Sequence, residues 1–103
     1  MEVKFLNEEL EKFYLMPMNE IKGKRKYPDE VIKQFKKKIQ ILTAITRLEQ
    51  LRQHKGLNFE YLKGERAGEC SIRLNIQYRL LFIPASENSI RVILIKEISK
   101  HYE

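Results

Sequence analysis

The spacing of apolar residues changes near the middle of this chain, and that change constrains the fold more than any other feature. In the first half, apolar residues recur every three or four positions, which is typical of one face of a helix. In the second half they alternate with polar residues, as in strands that have one buried face. The sequence therefore predicts an α+β domain. The helical series is Val31, Phe35, Ile39, Leu42 and Ile45, and the alternating series is Cys70, Ile72 and Leu74 followed by Tyr78, Leu80 and Phe82.

The first half predicts a short strand and a helix before the main helix. Val3 and Phe5 alternate with charged residues, which indicates a strand, and apolar residues at helical spacing follow over 6–14. Residues 17–27 lose this periodicity and carry four basic side chains, so they are predicted to form a basic loop.

The main helix is predicted to begin at Pro28, because proline suits the first helical position. If this helix ran unbroken to Leu51, it would be about 36 Å long, which is the full width of a domain of this size. We therefore expect a bend near Thr43 or Thr46.

The second half predicts a small, twisted, largely antiparallel sheet of about four strands, with the N-terminal helices packed on one face. The alternating residues form a hairpin, and a preceding strand is expected within 59–62. The run IRVILI at 90–95 is nearly all apolar, as in a strand covered on both faces, and PASENS at 84–89 predicts the turn before it. Two interpretations stay open for Lys100, His101 and Tyr102: terminal residues often fray, but a histidine suits proton transfer near neutrality.

Composition limits the classes of function for this single domain of residues 1–103. A net charge of +6 and a pI near 9.5 favour polyanionic partners. No apolar run approaches the roughly 18 residues of a membrane span, and the first residues do not form a secretory signal, so we expect a cytoplasmic protein without membrane contact. Cys70 has no disulfide partner, and His54 and His101 are far apart in sequence, so neither a metal site nor a cofactor is expected.

Arg79 is the most informative charged residue. It alternates onto the same strand face as Leu81 and Ile83, which predicts partial burial, and a buried guanidinium needs a carboxylate or a bound anion. Two explanations stay open: an internal salt bridge to Glu60 or Glu97, and an anion-binding site.

The segment LKGERAGECSIRLNIQYRLLF resembles the core of the RelE/ParE superfamily of toxins from type II toxin–antitoxin systems, in particular the HigB-like and YoeB-like branches. The shared features are a Leu-Lys-Gly turn, a Ser-Ile-Arg strand and a Tyr-Arg-Leu strand. The resemblance covers nearly the whole chain and implies a RelE-like fold. It also implies metal-independent cleavage of mRNA on the ribosome, in which a ribose 2′-hydroxyl attacks the adjacent phosphate and translation stops.

The resemblance assigns roles to residues at matching positions. In YoeB-like members a glutamate before the Leu-Lys pair, an arginine and a C-terminal His-Tyr pair carry the chemistry. Here these positions hold Glu60 as the base, Arg79 as the clamp on the transition state, His101 as the acid and Tyr102 as a stacking or proton-donating partner. The residues expected to hold the RNA backbone are Lys63, Arg66, Arg73 and Lys100.

This sequence departs from many HigB-like members at two places. Those members have a histidine where Glu60 stands, and they end in Asp-Tyr-His where this chain has Lys100-His101-Tyr102. The proposed acid and base therefore follow the YoeB-like pattern, and the tail must reach Arg79 for the mechanism to work.

The resemblance also implies partners and rivals. The expected partner is a HigA-like helix-turn-helix antitoxin that covers the basic site and carries the complex to operator DNA, so the chain would be a monomer alone and part of a hetero-oligomer with the antitoxin. One rival function is inhibition of DNA gyrase, as in ParE-like relatives, and another is RNA binding without cleavage. The joint presence of Glu60, Arg79 and His101 favours cleavage.

Overall fold

The computed structural model describes residues 1–21 and 26–100, and within these ranges five strands form one mixed sheet. The expected α+β class is confirmed, although the sheet has five strands where about four were expected. The strand expected within 59–62 is present as a two-residue edge strand. His101 and Tyr102, and part of the predicted basic loop, lie outside the described residues. The elements are β1 (Glu2–Phe5), α1 (Glu8–Leu15), α2 (Asp29–Ala44), β2 (Glu60–Tyr61), β3 (Cys70–Arg73), β4 (Tyr78–Glu87) and β5 (Ile90–Lys100), with short 3-10 turns at Met18–Glu20, Leu48–Gln53 and Gly64–Arg66.

The strands lie in the order β1-β5-β4-β3-β2, and only the β1–β5 pair is parallel. The long strands β4 and β5 occupy the centre and form a hairpin. Because successive side chains in a strand point to opposite faces, one face carries the apolar series of all the strands. Ile72, Leu80 and Ile98 are partners on that face, as are Cys70 and Phe82 in the neighbouring row.

Helix α2 covers this apolar face. Its Val31, Ile32, Phe35 and Leu42 side chains have no solvent exposure, as expected from their helical spacing. The helix begins one residue after the predicted position, because Pro28 has an extended ψ of 152° and serves as the residue before the first turn.

The break expected near Thr43 or Thr46 occurs between them. Helix α2 ends at Ala44, and Ile45 adopts an extended backbone with a ψ of 156°. The chain then changes direction and enters the 3-10 turn that contains Leu51. Ile45 is 5% exposed and Leu51 is fully buried, so the segments on both sides of the break contribute to the core.

The predicted turn between β4 and β5 is too long. The turn is not the whole of 84–89, because β4 continues to Glu87 and only Asn88 and Ser89 connect the strands, with φ angles of 50° and 67°. A two-residue connection with both φ angles positive matches the right-handed twist of a hairpin. At the other end of the hairpin, Lys100 is ordered and pairs with Tyr78, so fraying does not reach this residue.

The second face of the sheet, here called the open face, carries the alternate residues of the same strands. They include Glu60, Ser71, Arg73, Arg79, Leu81 and Ser99. Leu81 and Val92 are buried on this face but do not belong to the main core cluster. No helix of the described residues is both long and apolar enough to cross a membrane.

Candidate functional site

Arg79 lies on the open face and is held by neutral groups. Its Nε–H donates to Ser71 Oγ at 3.0 Å, and an Nη2–H donates to the backbone carbonyl of Asn58 at 2.6 Å. Within residues 1–21 and 26–100, no carboxylate oxygen lies within 4.0 Å of the guanidinium. The explanation by a salt bridge to Glu60 or Glu97 is therefore wrong, and the explanation by an anion site remains.

Strand register explains why the guanidinium reaches these partners. Glu60 and Ser71 are partners across β2 and β3, whereas Arg79 is the partner of Arg73 on one side and of Ser99 on the other. Arg79 therefore reaches diagonally over β3 toward Ser71. This direction brings its guanidinium toward the edge where Glu60 lies.

The surroundings of Arg79 disfavour its charge without neutralising it. Burial lowers the pKa of the guanidinium, the charge of Glu60 raises it and the charge of Arg73 lowers it further. Arginine nonetheless stays protonated in proteins. Arg73 stands directly across the strand pair from Arg79, an arrangement that is unfavourable for two like charges. An anion that entered between them would relieve this repulsion.

The loop before β2 positions the Asn58 carbonyl. Asn58 has a φ of 47°, in the left-handed region that asparagine tolerates better than most residues. The neighbouring Leu57 carbonyl accepts the Arg73 backbone N–H at 2.6 Å, which fastens the loop to the end of β3. This contribution was not predicted, because the sequence does not show which backbone carbonyl a turn will direct at a distant side chain.

The residues expected to hold RNA do not all lie on the same face of the sheet. Lys63 is exposed just after β2, and the Arg73 side chain is partly exposed beside Arg79. Lys100 is exposed at the end of β5, but its partner is Tyr78, whose side chain packs against the core cluster. By the alternation of strand residues, Lys100 therefore belongs to the helix-covered side and not to the open face.

Arg66 is occupied by two carboxylates. Its Nη1 lies 3.3 Å from Glu69 Oε1 and 3.4 Å from Glu97 Oε2, and Glu69 also binds Lys96 Nζ at 2.6 Å. Because Glu69 precedes β3 and Lys96 lies in β5, this network crosses the open face over β4. Hydrogen bonding and charge from Lys96 and Arg66 lower the pKa of Glu69 despite its burial.

The site contains base and clamp candidates but no described acid candidate. Glu60 is exposed on the open face near Arg79, whereas His101 and Tyr102 lie outside the described residues. Within the described ranges, no three His, Cys, Asp or Glu side chains come together as a metal site.

A groove that the sequence did not predict lies at the β2 edge. Its volume is about 590 Å³, and its lining residues are Arg52, Phe59, Glu60, Tyr61, Leu62 and Lys63. The signal available in the sequence was the alternation Phe59-Glu60-Tyr61, which places the two aromatic rings on the side opposite to Glu60.

A family model and a curated relative both match this chain, and both point to the same family. The model of the family described as RelE-like toxin of the type II toxin–antitoxin system HigB matches residues 3–94. Toxin HigB-1 of Vibrio cholerae is 38% identical over 82 residues, which cover 80% of this chain and 82% of that protein.

Solved structures share the fold at lower identity. A YoeB/ParE toxin from Agrobacterium tumefaciens superposes with a TM-score of 0.61 at 14% identity, covering 99% of this chain and 100% of the other. The YoeB–YefM complex from Staphylococcus aureus gives a TM-score of 0.56 at 20% identity, with 99% and 98% covered. At these identities the likeness extends to the fold alone.

Proposed function

Because this chain belongs to the HigB-like family of RelE-like toxins of type II toxin–antitoxin systems, we propose that it is an endoribonuclease that cleaves mRNA on the ribosome. The cleavage requires no metal in this proposal, and it inhibits translation. The observation that carries the proposal is the state of Arg79. Ser71 and Asn58 take two of its five N–H donors, and the other three have no hydrogen-bond partner in the part of the chain that the structure describes.

The three remaining donors suit a phosphate. A guanidinium presents N–H groups in a planar fork that matches two phosphoryl oxygens, and such charge-assisted bonds are about twice as strong as neutral ones. Because Ser71 and Asn58 already fix its orientation, Arg79 loses little freedom when the anion binds.

The proposed reaction is an internal phosphoryl transfer. The ribose 2′-oxygen bonds to the adjacent phosphorus and gives its proton to Glu60, and the bond from phosphorus to the 5′-oxygen breaks. The 5′-oxygen takes a proton from His101, so the products are a 2′,3′-cyclic phosphate and a 5′-hydroxyl. Arg79 stabilises the charge that develops on the phosphoryl oxygens.

The register of β5 supports a role for the C-terminal residues. Ser99 is the partner of Arg79, and His101 follows only two residues later. Two residues span at most about 7 Å of chain, so the proposal requires the tail to turn back over the open face toward the guanidinium, which extends over β3 toward Ser71. Histidine suits proton transfer because its unperturbed pKa, about 6.5, lies near neutrality. Tyr102 is proposed to stack on a base or to donate a proton.

The proposed RNA-backbone contacts come from the exposed Lys63 and the partly exposed Arg73. Lys100 lies on the helix-covered side and can contribute only if the RNA extends past the end of β5. Arg66 can contribute only if its two carboxylate contacts are broken. The proposed partner in the cell is a HigA-like antitoxin. The Staphylococcus aureus structure with this fold is a YoeB–YefM toxin–antitoxin complex, which supports an antitoxin partner in general. We propose a cytoplasmic location, where mRNA is translated.

Inducible expression in bacteria with mapping of mRNA 5′-ends tests the proposal. Wild-type protein is expected to produce new ends inside reading frames, and Arg79→Ala is expected to abolish them. Arg91→Ala is the matched control, because Arg91 is an exposed arginine of β5 that pairs with Ser86 near the opposite end of the hairpin. DNA breaks linked to gyrase would support the ParE-like rival instead, and RNA binding without new ends would support a non-catalytic module.

A further inference from the structure

The groove at the β2 edge contains an aromatic pair that is anchored on one side and exposed on the other. Phe59 is 6% exposed and stacks on Phe82 of the core, with ring centroids 6.3 Å apart and planes at 20°. Tyr61 meets Phe59 edge to face at 5.0 Å and 71°. Tyr61 itself is 51% exposed, so a fixed aromatic ring faces solvent at this edge.

Arg52 places a planar cation over the same rings. Its Cζ lies 5.1 Å from the Phe59 centroid and 6.0 Å from the Tyr61 centroid. Arg52 is exposed, and no carboxylate of the described ranges lies within 4.0 Å of it. The 3-10 turn that carries Arg52 is fastened to the core by the fully buried Leu51. Lys63 adds a second exposed cation to the same groove.

The groove adjoins the proposed cleavage site through one strand. In β2, Glu60 points to the open face with Arg79, and Tyr61 points to the other side. A polynucleotide that crosses this edge can therefore present a phosphate to Arg79 and a flanking base to Tyr61.

We propose that the groove formed by Arg52, Phe59, Tyr61 and Lys63 is a nucleobase-stacking subsite for single-stranded RNA. Its substrate rests on the ribonuclease function proposed above. A base stacks on the exposed Tyr61 ring, Arg52 contributes its cationic plane, and Lys63 holds the adjacent phosphate. Aromatic rings next to cations are the arrangement that single-stranded nucleic acid binds with little sequence preference.

RNA fits this groove better than an added protein strand does. Strand addition draws its affinity from main-chain hydrogen bonds along an exposed edge, and β2 is only two residues long. A base needs only the face of one ring, which Tyr61 provides.

The absence of tryptophan from the chain allows a direct test. In Tyr61→Trp the new indole is a unique reporter at the groove, and Ile90→Trp is the matched control, because Ile90 is a similarly exposed residue at the distant β4–β5 turn. The probe is a short 2′-O-methyl RNA, which lacks the attacking hydroxyl and cannot be cleaved. We expect saturable quenching in Tyr61→Trp only, and no quenching by an abasic oligomer with the same backbone.

Affinity variants give a second, independent measurement. Base–aromatic stacking corresponds to about a 5- to 150-fold change in affinity per base, so Tyr61→Ala is expected to weaken binding of the same RNA at least fivefold. Tyr61→Phe keeps the ring and is expected to bind like the wild type. Because Tyr61 is half exposed, circular dichroism should show that all three proteins are folded.

The outcomes separate this proposal from the cleavage proposal. Base-dependent quenching in a protein that cuts no mRNA would support the subsite and contradict the ribonuclease. Equal quenching by the abasic oligomer, or equal RNA affinity of Tyr61→Ala and the wild type, would overturn the subsite whether or not the protein cleaves. If Tyr61→Ala lost binding to an antitoxin but kept its RNA affinity, the groove would be a protein-binding surface and the proposal would be wrong.

Discussion

Ser71 should be important for stability only because Arg79 is present. Its hydroxyl is the acceptor for Arg79 Nε–H at 3.0 Å, and the residue is 1% exposed. Ser71→Ala removes the acceptor and leaves the partly buried N–H unsatisfied. Hydrogen bonds to charged groups contribute about 1.5–3 kcal/mol, and an orphaned buried donor carries a similar cost, so we expect a loss of about 2 kcal/mol in the free energy of unfolding.

Arg79→Met should change the free energy of unfolding less than Ser71→Ala does. Burial lowers the pKa of the guanidinium, which means that the folded state disfavours this charge at every pH at which the protein is stable. Replacing it by an apolar side chain of similar length removes this cost but leaves the Ser71 hydroxyl and the Asn58 carbonyl without their donor, so the two effects on the free energy of unfolding should partly cancel, while RNA cleavage is lost. In the Arg79→Met background, Ser71→Ala should cost less than about 0.5 kcal/mol, because removing both partners of a hydrogen bond is nearly neutral.

Urea unfolding of the wild type, the two single variants and the double variant forms the required cycle. With a slope of about 1–3 kcal/mol per molar urea, the Ser71→Ala midpoint should fall by roughly 1 M when Arg79 is present and by much less when it is absent. The expected coupling free energy is about 1.5 kcal/mol, within the range measured for contacting residues. Equal costs in the two backgrounds would refute the assignment of Ser71 as the support of Arg79.

Three further predictions concern the hydrogen bonds of Lys36, the burial of Cys70 and the ion pairs of Arg66. Lys36 Nζ donates to two backbone carbonyls at the end of α1, so Lys36→Met should lower the free energy of unfolding by about 1–2 kcal/mol in thermal unfolding. Lys37 lies on the exposed face, and Lys37→Met should change the same quantity by less than about 0.5 kcal/mol. Burial raises the pKa of Cys70 to about 11. The stability that the neutral thiol contributes should therefore be complete below about pH 8.5 and should fall as the pH rises toward 11. An unchanged free energy of unfolding in urea titrations across that window would contradict this linkage. Arg66→Ala should reduce mRNA cleavage less than Arg73→Ala does, because two carboxylates already occupy Arg66; equal losses in a ribosome cleavage assay would show that Arg66 leaves them to bind RNA.

Strand alternation was enough to place the central arginine. The sequence predicted that Arg79 shares a face with Leu81, and the register confirms it because a pleated strand allows only two faces. The predicted break after α2 is also confirmed, since helix length and domain width limit each other. The same reasoning could not decide between a salt bridge and an anion site for Arg79.

That choice depended on contacts between residues far apart in the chain. Glu97, one of the predicted partners of Arg79, is taken instead by Arg66, 31 positions earlier. The Asn58 carbonyl reaches Arg79 through a left-handed backbone conformation that no periodicity encodes. Arg52 comes over Tyr61 because a 3-10 turn follows the broken helix. Local patterns fix which face a residue occupies, whereas its partners depend on how separate segments pack.

The most direct test of the central claim is the chemistry of the RNA ends. Purified protein is incubated with programmed ribosomes, and the cut mRNA is analysed at both sides of the break. Attack by the 2′-hydroxyl at a phosphate held by Arg79 predicts a 5′-hydroxyl on one product and a 2′,3′-cyclic phosphate, or its hydrolysis product, on the other. It also predicts loss of cutting in Arg79→Ala and retention in Arg91→Ala. Products with a 5′-phosphate and a 3′-hydroxyl, or undiminished cutting by Arg79→Ala, would contradict the account.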